Sequence, residues 1–230
     1  MLDLLVDNDA VVKLVRYRLE KEFIRHCNDD PAKDPIALLG TARWVCATAL
    51  RRAVAKLGED PAILVCFDQL LLEVDVVEPT EDELRLAAAL EDRARTRGLP
   101  LDPGESQLAA VVSRRLAFLL TGDKRAIASL EALLDDFADL RPLVGRVAAL
   151  ENAIMSLVLH LGEPDVRNAV CSAPGADTAL RLAFSCNSPS SSLQGLLSYL
   201  NSLRRDAPRI MVDADSLCFE PLPQSLRKTA

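Results

Sequence analysis

Apolar residues recur along this chain in two rhythms, one helical and one strand-like. Val11, Leu14, Val15, Leu19 and Phe23 fall at helical spacing, which predicts one helix over residues 10–26. Ahead of it, Leu2-Asp3-Leu4-Leu5-Val6 reads as a short strand ending at Asp7. Residues 28–35 are polar and punctuated by Pro31 and Pro35, the signature of a loop. A second helix is predicted over 36–57, stopped by Gly58, and a third over 61–71 behind Pro61. Residues 72–77 alternate in polarity and are rich in valine, so they read as a strand. Thr80 and Glu83 form a capping-box pattern that opens a helix to Arg97, with Gly98 behind it. Asp102, Pro103 and Glu105 repeat that signal for a helix to Arg115. Residues 116–121 read as a buried strand, with a helix starting after Asp123, and residues 137–143 as a short fourth strand.

Beyond residue 143 the pattern changes. A long apolar helix is predicted over 143–161, then two or three shorter ones broken by Ala173-Pro174-Gly175 and by residues 187–192. Residues 209–212 read as one last strand. Strands alternating with helices imply crossover connections, hence an α/β fold with a parallel sheet and helices on both faces. In such sheets ligands bind beyond the carboxyl ends of the strands.

Composition narrows the class. The chain has 230 residues, half of them hydrophobic, but only six Phe, two Tyr and one Trp. The core must therefore be built from Leu, Ala and Val, which favours helices. No apolar run is long enough to span a bilayer, and residues 1–7 carry acids and no basic region, so a cytoplasmic protein without membrane contact is expected. The six cysteines are scattered without a CxxC pair, and His26 and His160 lie far apart in sequence. That spacing does not suggest zinc; buried free thiols are the expectation. A net charge of −7 excludes a protein that coats nucleic acid nonspecifically. It does not exclude a nuclease, whose metal-binding acids contribute to that charge themselves.

The acids at strand ends are the candidate chemistry. Asp7 ends the first strand and Asp123 follows the buried one, so two parallel neighbouring strands would bring both to one sheet edge. Glu105 opens the helix that leads into the buried strand, and a helix start can lie at that same edge. An all-oxygen cluster suits a hard cation such as Mg²⁺ or Mn²⁺. The same residues also read as caps: Asp7 or Asp9 for the first helix, Glu105 as the third residue of a capping box, Asp123 for the next helix.

Leu99-Pro100-Leu101-Asp102-Pro103-Gly104-Glu105-Ser106-Gln107, followed by Leu119-Leu120-Thr121-Gly122-Asp123, resembles the second half of a PIN-domain ribonuclease. In that family a Gly-Glu opens one helix and a Thr-x-Asp closes the next strand. Leu4-Leu5-Val6-Asp7 resembles its first strand and leading aspartate. The resemblance covers about residues 1–140 and implies a three-layer α/β/α nuclease domain over 1–142, with a mainly helical extension over 143–230. It implies Asp7, Glu105 and Asp123 as metal ligands, while Asp9, at a position where the chain departs from the family, reads either as an additional ligand or as a helix cap. A further acid matches Asp68, with Glu73 as the substitute. After Asp7 the chain departs from the family, placing Asn8-Asp9 where a small hydroxyl residue is usual.

The activity implied is Mg²⁺- or Mn²⁺-dependent endoribonucleolytic hydrolysis of RNA, of a toxin-like or stress-linked kind, with an inhibitory protein partner over the acidic pocket. The contrasting reading is a catalytically inactive PIN-like interaction module. Lys13, Arg16, Arg114, Arg115, Lys124 and Arg125 are candidate phosphate contacts. The apolar stripe Leu150, Ile154, Leu157 and Leu161 is a candidate homo-oligomer or partner face, or else completes the core.

Overall fold

The computed structural model describes residues 4–28, 36–186 and 192–212. The loop expected over 28–35 and the serine-rich break at 187–192 therefore lie almost wholly outside the described residues. Five short strands, β1 (Leu4–Val6), β2 (Ile36–Leu39), β3 (Asp75–Val77), β4 (Phe118–Thr121) and β5 (Val147–Ala149), form one sheet in the order β3-β2-β1-β4-β5. Every pairing is parallel. All residues of β1, β2 and β5 are buried, as expected for strands covered by helices on both faces. The protein is α/β, as its element pattern predicts.

Around the sheet lie α1 (Asn8–Arg16), α2 (Glu20–Asn28), α3 (Ala42–Leu57), α4 (Ala62–Glu73), α5 (Glu81–Arg97), α6 (Pro103–Arg115), α7 (Lys124–Leu133), α8 (Leu150–Leu161), α9 (Glu163–Ser172), α10 (Thr178–Ala183) and α11 (Ser192–Asp206). Both predicted capping boxes form: Thr80 with Glu83 at the start of α5, and Asp102 with Glu105 at the start of α6. Gly58 and Gly98 take the left-handed conformation that closes α3 and α5.

Five expectations need correction. The helix over 10–26 is two helices, because Arg18 adopts a left-handed φ of 58° and ends α1. The apolar rhythm runs across the break because Leu14, Val15, Leu19 and Phe23 are all buried in the same core. The helix over 36–57 is β2 followed by α3: Ile36-Ala37-Leu38-Leu39 is a continuous apolar run that periodicity cannot separate from a buried helix. The same ambiguity hid β5 within the helix expected over 143–161. Residues 138–143, expected as a strand, form a 3-10 turn containing Pro142. At 209–212 only a single bridge, Met211 to Val147, extends the sheet.

The sheet thus takes its last strand from beyond residue 143. Leu150, Ile154 and Leu157 on α8 are fully buried, so of the two readings of this stripe, partner face or core, these three residues take the second. Cys171 and Cys186, expected as free thiols, form a disulfide between the ends of α9 and α10. Cys46 and Cys66 are free thiols. Among the described residues no helix is long and apolar enough to cross a membrane.

Two tests follow from this architecture. Closing a loop with a sequence separation of 15 residues contributes about 3 kcal/mol, so Cys186→Ser should lower urea-denaturation stability by about that much; equal stability with and without reductant would contradict it. Leu116 ends α6 at φ 59° and is exposed, so Leu116→Gly should stabilise the fold by roughly 0.5–1 kcal/mol, read as a higher Tm.

Candidate functional site

Strand order decides where the acids meet. The chain builds the sheet outward from β1 through β2 to β3, then returns to the other side of β1 with β4 and β5. The crossovers from β1 and β4 leave in opposite directions, which opens a crevice beyond the carboxyl ends of these two strands. Val6 stands opposite Leu120 in the β1–β4 register, so Asp7 and Thr121 emerge side by side. The Asp7 backbone N–H donates to the Leu120 carbonyl at 2.8 Å, and the Thr121 hydroxyl donates to Asp7 Oδ2 at 2.8 Å. The same hydroxyl accepts from the Asp123 N–H at 3.1 Å. Thr121, buried, is the hinge on which both aspartates are set.

Glu105 reaches the same edge from the first turn of α6. Its Oε2 accepts from the Asp102 N–H at 2.7 Å, and its own N–H donates to Asp102 Oδ1 at 2.8 Å. Asp123 caps α7, accepting from the N–H groups of Arg125 and Ala126 at 2.7 and 3.2 Å, and pairs with the Arg125 guanidinium at 3.0 Å. Asp9 sits one turn into α1 and pairs with Lys13 at 2.6 Å. Gly122 makes this possible, because a Cβ there would collide with the Asp9 carboxylate.

Together Asp7, Asp9, Asp102, Glu105 and Asp123 line one cleft of about 550 Å³, walled on the far side by Thr41, Val45 and Ala49 of α3. Burial pushes the Asp7 carboxyl up to about 6, with the Asp9 and Asp102 charges adding to the effect against the Thr121 hydrogen bond. Burial likewise raises Glu105 to about 7, reinforced by Asp102, Asp123 and Asp7. At Asp123 burial works in the same direction, but the hydrogen bonds from Arg125 and Ala126 outweigh it and hold the group below its ordinary value.

The other expected acids do not join. Asp68 and Glu73 are exposed on α4 and contribute nothing to the cleft lining. Their register along α4 turns them outward, since Ile63, Phe67 and Leu70 are the residues that face the core. Among the described residues no three of the Asp, Glu, His or Cys side chains come close enough to hold a common ion. The donors that share the cleft are oxygen-only, and two of them, Asp7 and Glu105, are held toward their neutral forms, which is the chemistry a hard divalent cation relieves. Glu105 and Asp123 are, however, turned into capping contacts of their own helices.

The six candidate phosphate contacts are all committed inside the chain. Lys13 pairs with Asp177 at 2.7 Å as well as Asp9, Lys124 with Glu151 at 3.0 Å, Arg114 with Asp139 at 2.9 Å and Arg115 with Glu83 at 2.7 Å. Arg16 pairs with Glu59, and Arg125 with Asp123. Asp177 and Glu151 come from the segment beyond residue 143. No local signal marked them, because only the packed fold brings them onto α1 and α7. Asp102 was legible only as a cap. His26 and His160, distant in sequence, have ring centroids 4.6 Å apart.

Compared with known proteins, the chain matches no family model, and no curated protein matches it.

The raised carboxyls set a pH dependence. The unfolded chain releases the Asp7 proton near 3.8 while the folded state retains it to about 6, so stability should fall as pH rises through that window. Asp7→Asn should therefore raise the Tm at pH 8, by the equivalent of roughly 1–3 kcal/mol, and leave it nearly unchanged at about pH 4. A variant no more stable than the parent at pH 8 would show that the crowding is absent.

Proposed function

We propose that this protein is a metal-dependent phosphodiesterase acting on RNA, with Asp7, Glu105 and Asp123 as the cation-holding carboxylates and Asp9 as an accessory one. The observation that carries the reading is that acids from three distant parts of the chain line one cleft at the point where the strand order reverses. The PIN-domain resemblance of residues 1–140 supplies the reaction class. The chemistry of the donors favours Mg²⁺ or Mn²⁺. A bound divalent cation would polarise the phosphodiester and lower the pKa of an attacking water.

The chain's own residues supply the setting. Thr121 holds Asp7 in place, leaving the second carboxylate oxygen unclaimed by that hydroxyl. Asp102 holds Glu105 by the capping box until its carboxylate turns to the cleft. Arg125 neutralises Asp123 and must release it before Asp123 can serve a cation. The inhibitory partner and toxin-like role belong to the same proposal.

A second reading, the inactive interaction module, is favoured by one specific observation: Glu105 and Asp123 already serve as helix caps, and among the described residues no three acids come close enough to share an ion. Calorimetric titration with Mn²⁺ separates the two. The enzyme reading expects saturable binding that is lost in Asp7→Asn/Asp123→Asn, together with loss of Mn²⁺-dependent RNA cleavage. Asn caps helices as well as Asp, so the double variant should fold. Affinity for Mn²⁺ should also rise as pH goes from 6 to 8, because Asp7 and Glu105 must lose protons near 6 and 7 to bind. Absence of saturable binding in the parent protein would retire the enzyme and leave the module.

A further inference from the structure

The wall of the cleft opposite the acids is α3, which carries four exposed cations. Thr41, Val45 and Ala49, which line the cleft, fall at four-residue spacing. The next positions on the same stripe are Arg52 and Lys56, one turn apart and both exposed. Arg51 is exposed to one side of the stripe, and Arg43 is exposed on the opposite side of the helix. The helix sequence, ARWVCATALRRAVAKL, contains no acid at all.

Among the described residues none of these four cations takes a carboxylate partner. The contrast with α5 is direct: Arg85, Arg93, Arg95 and Arg97 are each paired, to Glu81 and Asp82, Asp136, Glu91 and Asp92, and Asp136 respectively. In a chain of net charge −7, carboxylates are plentiful, so a helix that keeps its cations unpaired stands out. Helix-dipole stabilisation accounts for Lys56 in the last turn, but not for Arg43, Arg51 and Arg52.

Trp44, the sole tryptophan, stands next to this stripe and is 68% exposed. The Arg43 guanidinium lies over its ring at 5.0 Å from the centroid. A large aromatic surface left open beside unpaired cations matches a stacking site next to a phosphate track. An acidic peptide would use the cations but not the flat face. A duplex buries its bases and could not stack on a single side chain.

We infer that α3 is the binding track for a single-stranded polynucleotide: Arg52 and Lys56 hold successive phosphates, Trp44 stacks on an unpaired base, and the stripe leads the strand into the acid-lined cleft at Ala49 and Val45. This rests on the phosphodiesterase reading for the direction of the strand but not for its binding.

The test is binding of a short fluorescein-labelled oligouridylate to the full-length protein in chelator, where no divalent cation is free. Anisotropy is read over a series of salt concentrations, and Trp44 emission is read directly. The oligonucleotide should quench that emission. Arg52→Ala/Lys56→Ala should make the slope of log K against log salt shallower by about 1.4, two phosphate contacts at about 0.7 each. Trp44→Leu should weaken binding roughly tenfold and leave the slope unchanged. An unmoved Trp44 emission, an unaltered slope in the double variant, equal binding of an RNA duplex, or equal binding of poly-glutamate would each overturn the track. Binding that behaves as expected without any Mn²⁺-dependent cleavage retires the phosphodiesterase and leaves the track. Cleavage by a protein whose salt slope is indifferent to Arg52 and Lys56 does the reverse.

Discussion

The parallel pairing of β1 with β4 is the constraint on which the rest of the structure depends. Leu4, Leu5 and Val6 stand opposite Phe118, Leu119 and Leu120, which are separated from them by more than a hundred residues. A slip of one residue would turn every buried side chain of β1 to the opposite face and part Asp7 from Thr121. The hydrogen bonds that flank the segment mark the register, the Asp7 N–H donating to the Leu120 carbonyl and the Thr121 hydroxyl to Asp7 Oδ2. Because the strand order reverses at this pair, the same register that packs the core also opens the crevice and places two aspartates beside it.

Electrostatic crowding at that edge is tolerated in unequal ways. Asp123 is neutralised locally, by its own helix N-terminus and by Arg125. Asp7 has the Thr121 hydroxyl and the Asn8 N–H as donors but faces the Asp9 and Asp102 charges, and Glu105 has one N–H from Asp102. The rise of Asp7 and Glu105 toward neutral pH is the consequence of placing negative charge where water is scarce and partners are acidic. A fold selected for stability alone would gain by replacing one of them, so the arrangement stores an energetic cost that a cation could offset.

The segment beyond residue 143 is part of the fold's electrostatics as well as its core. It contributes β5 and the buried face of α8, and it supplies Asp177 and Glu151, which hold Lys13 and Lys124. Lys13, in the last turn of α1, pairs with Asp9 of the cleft, and Lys124 opens α7 directly after Asp123. By committing them inward, the segment leaves the cleft itself acidic and leaves α3 as the basic surface beside it. Lys124 also lies over the Tyr199 ring at 5.5 Å, which ties α11 to the same cluster.

What the sequence determined by itself was local. The capping boxes at Thr80–Glu83 and Asp102–Glu105, the stops at Gly58 and Gly98, and the α/β alternation are set by hydrogen bonds and backbone preferences within a few residues, so they could be read directly. Asp7, Glu105 and Asp123 were legible as candidates because strand ends and helix starts mark one sheet edge. Tertiary structure decided the rest. Ile36–Leu39 and Val147–Ala149 are strands only because neighbouring strands bury them, and an apolar run alone is equally good helix. Asp68 is excluded by the rotation of α4, while Thr121, Asp177 and Glu151 acquire their roles only when chain segments far apart come into contact. The cations beside Asp7, Glu105 and Asp123 looked available in one dimension. In three, pairing had already committed them: Lys13 and Lys124, withdrawn from water, take Asp177 and Glu151, and the exposed Arg125 takes Asp123 itself.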